Sequence, residues 1–383
     1  MANKQRRRGR GDGSIYQRSD GLWTAYARLE NGQRRYVYSK TRVEVAQKLK
    51  KLQKEIDTRT VVTAKAETVE SYLKYWIGIR QGRKDIKRST VANYRHHVTP
   101  CLPSIGRVKL HKLTTDQVQT MCNALLETRK PSTVRTMLTT LATAFNDAIK
   151  WQRLSHNPCK GVMLPRSEKH EGPVLSGEQA QSLLTTAKGH RLEGFLQLAL
   201  ATGLRKGELL ALTWSDVDFE TRLLKVSRNA TYLPDEMTGR YQTTESTPKS
   251  SAGRRTIRLP QFAVNALREH RARQLEQRLQ AGAPWESNDL IFCNDRGGYQ
   301  APTTLDRRFK MLVSAAGLPE MRIHDLRHSA ATLLLKMGVP LKVIQEILGH
   351  SSYVITANVY GHVLSEQRDE AANKMDGLFL SAH

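Results

Sequence analysis

Between Ile323 and His362 the chain reads IHDLRHSAATLLLKMGVPLKVIQEILGHSSYVITANVYGH. His324, Arg327, His328, His350, Tyr360 and His362 are threaded through apolar, helix-forming sequence. Such a set could hold a metal, bind and turn over a phosphate, or decorate a surface. His324 and His328 stand at i and i+4, a spacing that can chelate zinc. Asp325, however, occupies the place where a zinc protease carries Glu, and Arg327 would put a cation beside the metal. No metal site is therefore expected. An ordinary helical histidine pair would leave Arg327, His350 and Tyr360 unexplained.

Several elements must bring these side chains together. A helix places His324 and Arg327, at i and i+3, on one face. GVPLKVIQEILGH reads as a second helix with Leu341, Ile344 and Leu348 inward and Gly349 as its stop. His350 then sits just past a helix end, and Tyr360 follows ten residues on in another short helix. Upstream, LALATGLRKGELLALTW reads as a helix, a Thr-Gly turn and a second helix starting near Arg205. A helix N-terminus favours an anion, and a guanidinium offers a planar fork for phosphate oxygens. Glu208, three residues on, could orient Arg205. Alone, such a pair more often marks a solvated helix face. RLLKVS and RRTIRLP read as strands that pair around a long polar loop.

The rest of the chain points the same way. Its 383 residues exceed one typical core, so two or three domains are expected. Sixty-one Lys+Arg against 36 Asp+Glu give +25, which suits a polyanionic partner, above all nucleic acid. Cys101, Cys122, Cys159 and Cys293 are scattered without a CxxC pair, so neither a disulfide framework nor a zinc ribbon is expected. No apolar run is long enough for a membrane span and the basic N-terminus has no apolar stretch of a secretory signal. A cytoplasmic protein follows.

Residues 1–60 hold 16 Lys+Arg against 6 Asp+Glu, a net +10. Three alternating runs separated by SDG and ENG, then RVEVAQKLKKLQKEI with Val45, Leu49 and Leu52 on one side, predict a three-stranded sheet and a helix over 1–62. Arg28, Arg34, Arg35 and Tyr36 could lay that sheet into a DNA groove. Residues 66–160 contain four helical patterns, each opened by Ser or Thr near an N-cap. Lys87, Arg88 and Arg95 tilt this bundle toward DNA. Residues 161–173, in a charged stretch that contains Pro158, Pro165 and Pro173, read as an exposed linker, and 174–383 as a mainly helical third domain.

TGLRKGEL, HDLRHS, LGH and VY, in this order, resemble the tyrosine recombinase family, the phage integrases especially. The two upstream regions look like an integrase's arm-binding sheet domain and helical core-binding domain. The fold class expected is therefore multidomain and mainly α: a small sheet plus helix, a helical bundle, and a mixed α/β, mostly helical catalytic domain. The resemblance implies an active site of Arg205, His324, Arg327, His350 and Tyr360, with Tyr360 as nucleophile. The family also uses a hairpin lysine. Lys249, the only lysine between Lys225 and Lys310, fits, with Lys225 second. Two departures stand out: the stretch from Asn229 to Thr247 exceeds a simple hairpin loop, and Val354-Ile355-Thr356 replaces a Ser/Thr-rich run.

The residue types suit that chemistry. A phenol must lose its proton to attack phosphorus, and a cationic pocket helps it do so. Arg205, Arg327 and His350 would meet the nonbridging oxygens, Lys249 would protonate the departing 5′-oxygen, and His324 would move a proton or orient the phosphate. No cofactor is needed. The expected function is a site-specific recombinase that integrates and excises a mobile genome such as a phage. A conjugative-transposon integrase is the closest alternative. A type IB topoisomerase shares the chemistry but not the arm-like domain. A non-catalytic DNA-binding regulator would not need the order Arg, Lys, His, Arg, His, Tyr. The partners expected are double-stranded DNA at core and arm sites, three further copies in a homotetramer, and accessory bending and excision factors, in a bacterial host cell with no membrane involved.

Overall fold

The computed structural model describes residues 14–28, 34–57, 67–166, 172–234, 241–246, 253–350 and 375–376. The chain divides into two compact units, Met1–Glu168 and Lys169–His383.

The first unit opens with strands β1 (Ser14–Gln17), β2 (Trp23–Arg28) and β3 (Arg34–Ser39), an antiparallel sheet in that order. The first turn closes as SDG predicts: Gly21 takes φ +82°, and Asp20 accepts from the Leu22 amide at 3.1 Å. The second, at ENG, lies outside the described residues. Pleating puts Ala25 and Ala27 on one face, where they pack with Val45, Leu49 and Leu52 of α1 (Arg42–Asp57). The other face carries Tyr16, Tyr26, Tyr36 and Tyr38. Tyr26 and Tyr36 are cross-strand partners with ring centroids 5.5 Å apart, and Arg34 lies over Tyr26 at 4.8 Å.

A second core in this unit is built by α2 (Val69–Gly82), α3 (Arg88–Val98), α4 (Leu102–Ile105), α5 (Thr115–Leu126) and α6 (Pro131–Lys150). Thr68 and Thr114 cap α2 and α5 through their side chains. The expected Ser/Thr caps of α3 and α6 are not used. These helices start from Lys87 and Lys130, α6 with Pro131, whose fixed φ suits a first helical position. Helices α2 and α6 are tied by Tyr72, which donates to the Ala144 carbonyl at 2.6 Å, and by Trp76, which donates to Asp147 at 2.8 Å. Arg80 also pairs with Asp147. Cys101, Cys122 and Cys159 are free thiols in this core. Just before the expected linker of 161–173, the chain still packs on the bundle. Asn157 and Cys159 are buried, because the Asn157 amide donates to Ala142 O and Asn146 Oδ1 and folds the chain onto α6.

The second unit contains α7 (Gly177–Thr186), α8 (Glu193–Thr202), α9 (Lys206–Leu210), β4 (Val217–Asp218), β5 (Leu223–Val226), β6 (Asn229–Pro234), β7 (Tyr241–Ser246) and β8 (Arg255–Arg258). Helices α10 (Gln261–Ala281), α11 (Pro302–Ala315), α12 (Ile323–Lys336) and α13 (Leu341–Leu348) follow. Strands β5 and β8 pair antiparallel, as RLLKVS and RRTIRLP predict. The segment between them is not merely a polar loop, because β6 and β7 form a second hairpin with Tyr232 stacked on Tyr241 at 5.3 Å. Phe195, Leu209, Phe309 and Leu326 join one apolar core. Leu341, Ile344 and Leu348 bury the inner face of α13, as their spacing requires. No described helix is long and apolar enough to cross a membrane.

Candidate active site

Among the described residues of the expected site, Arg327 is the most deeply placed. It is 3% exposed on α12, where a bare guanidinium would be costly to bury. Its two terminal nitrogens meet helix ends: one donates to Gly203 O at 2.7 Å and the other to Leu348 O at 2.9 Å. Gly203 ends α8 in the left-handed region at φ +59°, which frees its carbonyl to turn toward the arginine.

Arg205 precedes α9, as predicted, and Glu208 orients it. The carboxylate accepts from the Arg205 backbone N–H at 3.0 Å and from its guanidinium at 2.8 Å. Helix α9 has only five residues, and Glu208 already takes up that backbone N–H. The anion preference expected of its N-terminus is correspondingly small, and binding power rests on the side chain. Glu208 is 3% exposed, and burial pushes its pKa up; its bonds to Arg255 and Arg205 outweigh that and hold it below the ordinary carboxylate value. Arg255 was not singled out by sequence. It opens β8, and the doubled arginine before TIRLP is its only signal.

These arginines meet at the C-terminus of α13. Arg255 Nε donates to Ile347 O at 2.6 Å, Arg327 to Leu348 O, and Arg205 to Gly349 O at 3.2 Å. Three successive carbonyls of a helix end, which lack partners within the helix, are each satisfied by a different arginine. The next residue is His350. Its backbone N–H donates to Gln345 O at 3.2 Å and its carbonyl accepts from the Gln345 side chain at 3.1 Å. Burial, then Arg327, Arg205, His328 and Arg255, push the imidazole down to about 4. It is therefore neutral at pH 7, able to donate to or accept from a phosphate oxygen.

His324 and His328 stand edge to face on α12, ring centroids 5.2 Å apart. His324 is exposed and His328 half-buried, whereas Arg327 is buried, so the i and i+3 pair shares a helix but not an environment. His324 lies below its ordinary pKa because atoms beneath the ring desolvate it and His328 and Arg327 oppose its charge. For His328 the cause is burial, partly offset by Asp325. Asp325, itself buried, is held by Arg322 at 2.8 Å.

Tyr360, His362 and Lys249 lie outside the described residues, as does Val354-Ile355-Thr356. Lys225 lies on β5 opposite Thr256. In the first unit, Arg28 and Arg34 are cross-strand partners and share a face with Tyr36. Arg35, between Arg34 and Tyr36, falls on the opposite face with Val37, because alternate residues point to opposite sides. Lys87 and Arg88 sit at the N-terminus of α3, and Arg95, in its last turn, is exposed and donates to Gln81.

Arginines and an imidazole are thus gathered at one helix end, a set of groups that suits an anion such as a phosphate. Residues 173–367 match the family model described as the phage integrase family. The chain is 33% identical over 373 residues to a XerC-like tyrosine recombinase of Caldanaerobacter subterraneus, covering 92% of this chain and 94% of that protein. Among solved structures it resembles the Tn1549 transposon integrase in complex with transposon right end DNA, at TM-score 0.65 and 21% identity over 80% of this chain and all of that one. It also resembles a lambda integrase tetramer bound to a Holliday junction, at TM-score 0.58 and 20% identity over 90% and 94% of the two chains. At those identities the structural likeness shows the fold. The chain belongs to the phage integrase family. It is a tyrosine recombinase, an enzyme of site-specific recombination that cleaves and rejoins DNA.

Proposed function

We propose that Arg205, Lys249, His324, Arg327, His350 and Tyr360 form the active site of an integrase that inserts and excises a mobile genome such as a phage. The observation that carries this reading is the convergence of Arg205, Arg327 and His350 on the end of α13. Tyr360 Oη, its proton passing to His324 or to solvent, attacks the scissile phosphorus and forms a 3′-phosphotyrosyl bond. The P–O bond to the 5′-oxygen breaks, and Lys249 gives that oxygen a proton. Arg205, Arg327 and neutral His350 serve the nonbridging oxygens, where charge builds in the transition state. His324, exposed on α12 three residues before Arg327, moves a proton or orients the phosphate. A 5′-hydroxyl from a partner strand reverses the step, so no ATP, cofactor or metal enters.

We infer that residues 1–62 bind arm-type DNA, 66–160 bind the core site, 161–173 link, and 174–383 catalyse. The Tyr and Arg face of the β-sheet suits a base-lined groove. In α3, Lys87 and Arg88 stand at a helix N-terminus, where side-chain charge and the positive end of the helix dipole would both favour a DNA phosphate. By analogy with the lambda assembly, the chain acts as a homotetramer on double-stranded DNA, with accessory bending and excision factors, in the cytoplasm of a bacterial host. The likeness to the Tn1549 enzyme favours one second reading, integration of a conjugative element by the same chemistry.

A nicked core-site substrate that traps the covalent intermediate tests the assignment. Wild type yields a protein–DNA adduct on a denaturing gel, and Tyr360→Phe yields none while still binding the site. An undiminished adduct with Phe would remove Tyr360 from the mechanism.

A further inference from the structure

We propose that Arg255 is a positioning residue for strand cleavage, the tie that sets Arg205 and His350 in register with β8. This rests on the active-site reading above. The Arg255 side chain is 8% exposed, and side chain and backbone together join three separate parts of the second unit. Nε donates to Ile347 O at 2.6 Å, three residues before His350. Nη2 donates at 3.0 Å to Glu208, whose other oxygen holds Arg205. The backbone of Arg255 begins β8, six residues after Lys249, and is locked in the sheet opposite Val226.

A planar fork with donors on three nitrogens can serve a carboxylate and a carbonyl at once. An ammonium is a point charge that can satisfy Glu208 but cannot also span to Ile347. The geometry therefore separates two roles. Neutralising buried Glu208 is a matter of charge, which lysine keeps. Fixing the distance between Glu208 and the end of α13 is a matter of shape, which lysine loses. The second role bears on rate, because Arg205 and His350 must meet one phosphate together, and a misplacement near 1 Å can cost roughly a hundredfold.

The experiment compares full-length wild type, Arg255→Lys and Arg255→Met for melting temperature, affinity for core-site DNA, and single-turnover cleavage of the nicked substrate at saturating protein. Arg255→Lys is expected to melt near wild type and to bind DNA within roughly twofold, since affinity rests on many phosphate contacts. Its cleavage is expected to fall by roughly ten- to a hundredfold. Arg255→Met should lose as much rate and also melt lower. A Lys variant that cleaves at the wild-type rate, or that fails to fold, would assign Arg255 to stability and overturn the proposal. Tyr360→Phe, run in parallel, keeps the tests separate: an adduct there defeats the active-site reading whatever Arg255 does.

Discussion

Arg327 and Gly203, 124 residues apart in sequence, are joined by a 2.7 Å hydrogen bond from the guanidinium to the glycine carbonyl. That bond needs a left-handed residue at the end of α8, and it needs space. A Cβ on Gly203 would stand 2.5 Å from Leu348 Cδ2 and 3.6 Å from Ala330 Cβ. Gly203→Ala is expected to cost about 1–2 kcal/mol from backbone strain alone. It should also push Leu348 outward and slow cleavage. Chemical denaturation together with the adduct assay checks both, and a variant as stable and active as wild type would contradict this account of Gly203.

The pH dependence of stability has a definite direction. His350 titrates at about 4 in the folded protein against an ordinary 6.5. The unfolded chain takes up a proton where the folded chain still refuses it. Stability from this group is full above pH 6.5 and drains away as the pH falls from 6.5 through about 4. His324 and His328, also depressed, act in the same sense. Melting temperature should fall over that window, and His350→Gln should flatten the fall. A melting temperature constant across the window would count against a neutral, crowded His350.

In the helical bundle, Asp147 is the acceptor for both Trp76 and Arg80. Asp147→Ala would leave an indole N–H and a guanidinium short of their partner, at a cost of roughly 2–4 kcal/mol. Urea unfolding would read this directly. A loss below about 1 kcal/mol would mean that solvent replaces the carboxylate easily.

Chelation offers a test that needs no variant. Cleavage should proceed unchanged in EDTA, since the proposed mechanism gives every role to a side chain. Activity lost to EDTA and restored by Zn²⁺ or Mg²⁺ would reopen His324 and His328 as ligands.

The sheet face yields a prediction specific to its pleat. If the tyrosine face meets arm DNA, Arg34→Ala should weaken arm-site binding with a shallower salt dependence, and Arg35→Ala, on the opposite face, should weaken it less. Deleting residues 1–62 should spare core-site cleavage yet reduce arm-dependent recombination, because tethering two modest sites can raise avidity by roughly 10²–10⁴. Equal effects from the two arginines would count against the face assignment.

Much of this was legible from residue order, and the gaps have physical causes. Leu341, Ile344, Leu348 and Gly349 announced a buried helix face and its stop because both are local, periodic features. Glu208 announced itself as a partner of Arg205 because three residues make a helical neighbour. Arg255 was invisible, since its worth lies in meeting Ile347 and Glu208, 92 and 47 residues away. Nothing in RRTIRLP states which arginine turns inward. The β6–β7 hairpin was hidden for a different reason: YLPDEMTGRYQTTES is polar enough to pass for a loop, and the stack of Tyr232 on Tyr241 is a contact that shows only once the strands are paired. The surplus of Ser and Thr near helix starts likewise overstated capping, because Lys87 and Lys130 occupy the cap positions themselves.

The ties that assemble the site span 92, 124 and 144 residues, and such separations order events during synthesis. The helical bundle closes through ties of 72 and 71 residues, all within the first unit. At roughly 5–20 residues per second, that bundle can fold while α12 and α13 have yet to be made. The arginines of α9 and β8 must wait for a helix end that does not yet exist, and closing such long loops is slow in its own right. The arginine cluster can thus be completed only after the segment ending in His350 has emerged and docked, long after the bundle has closed.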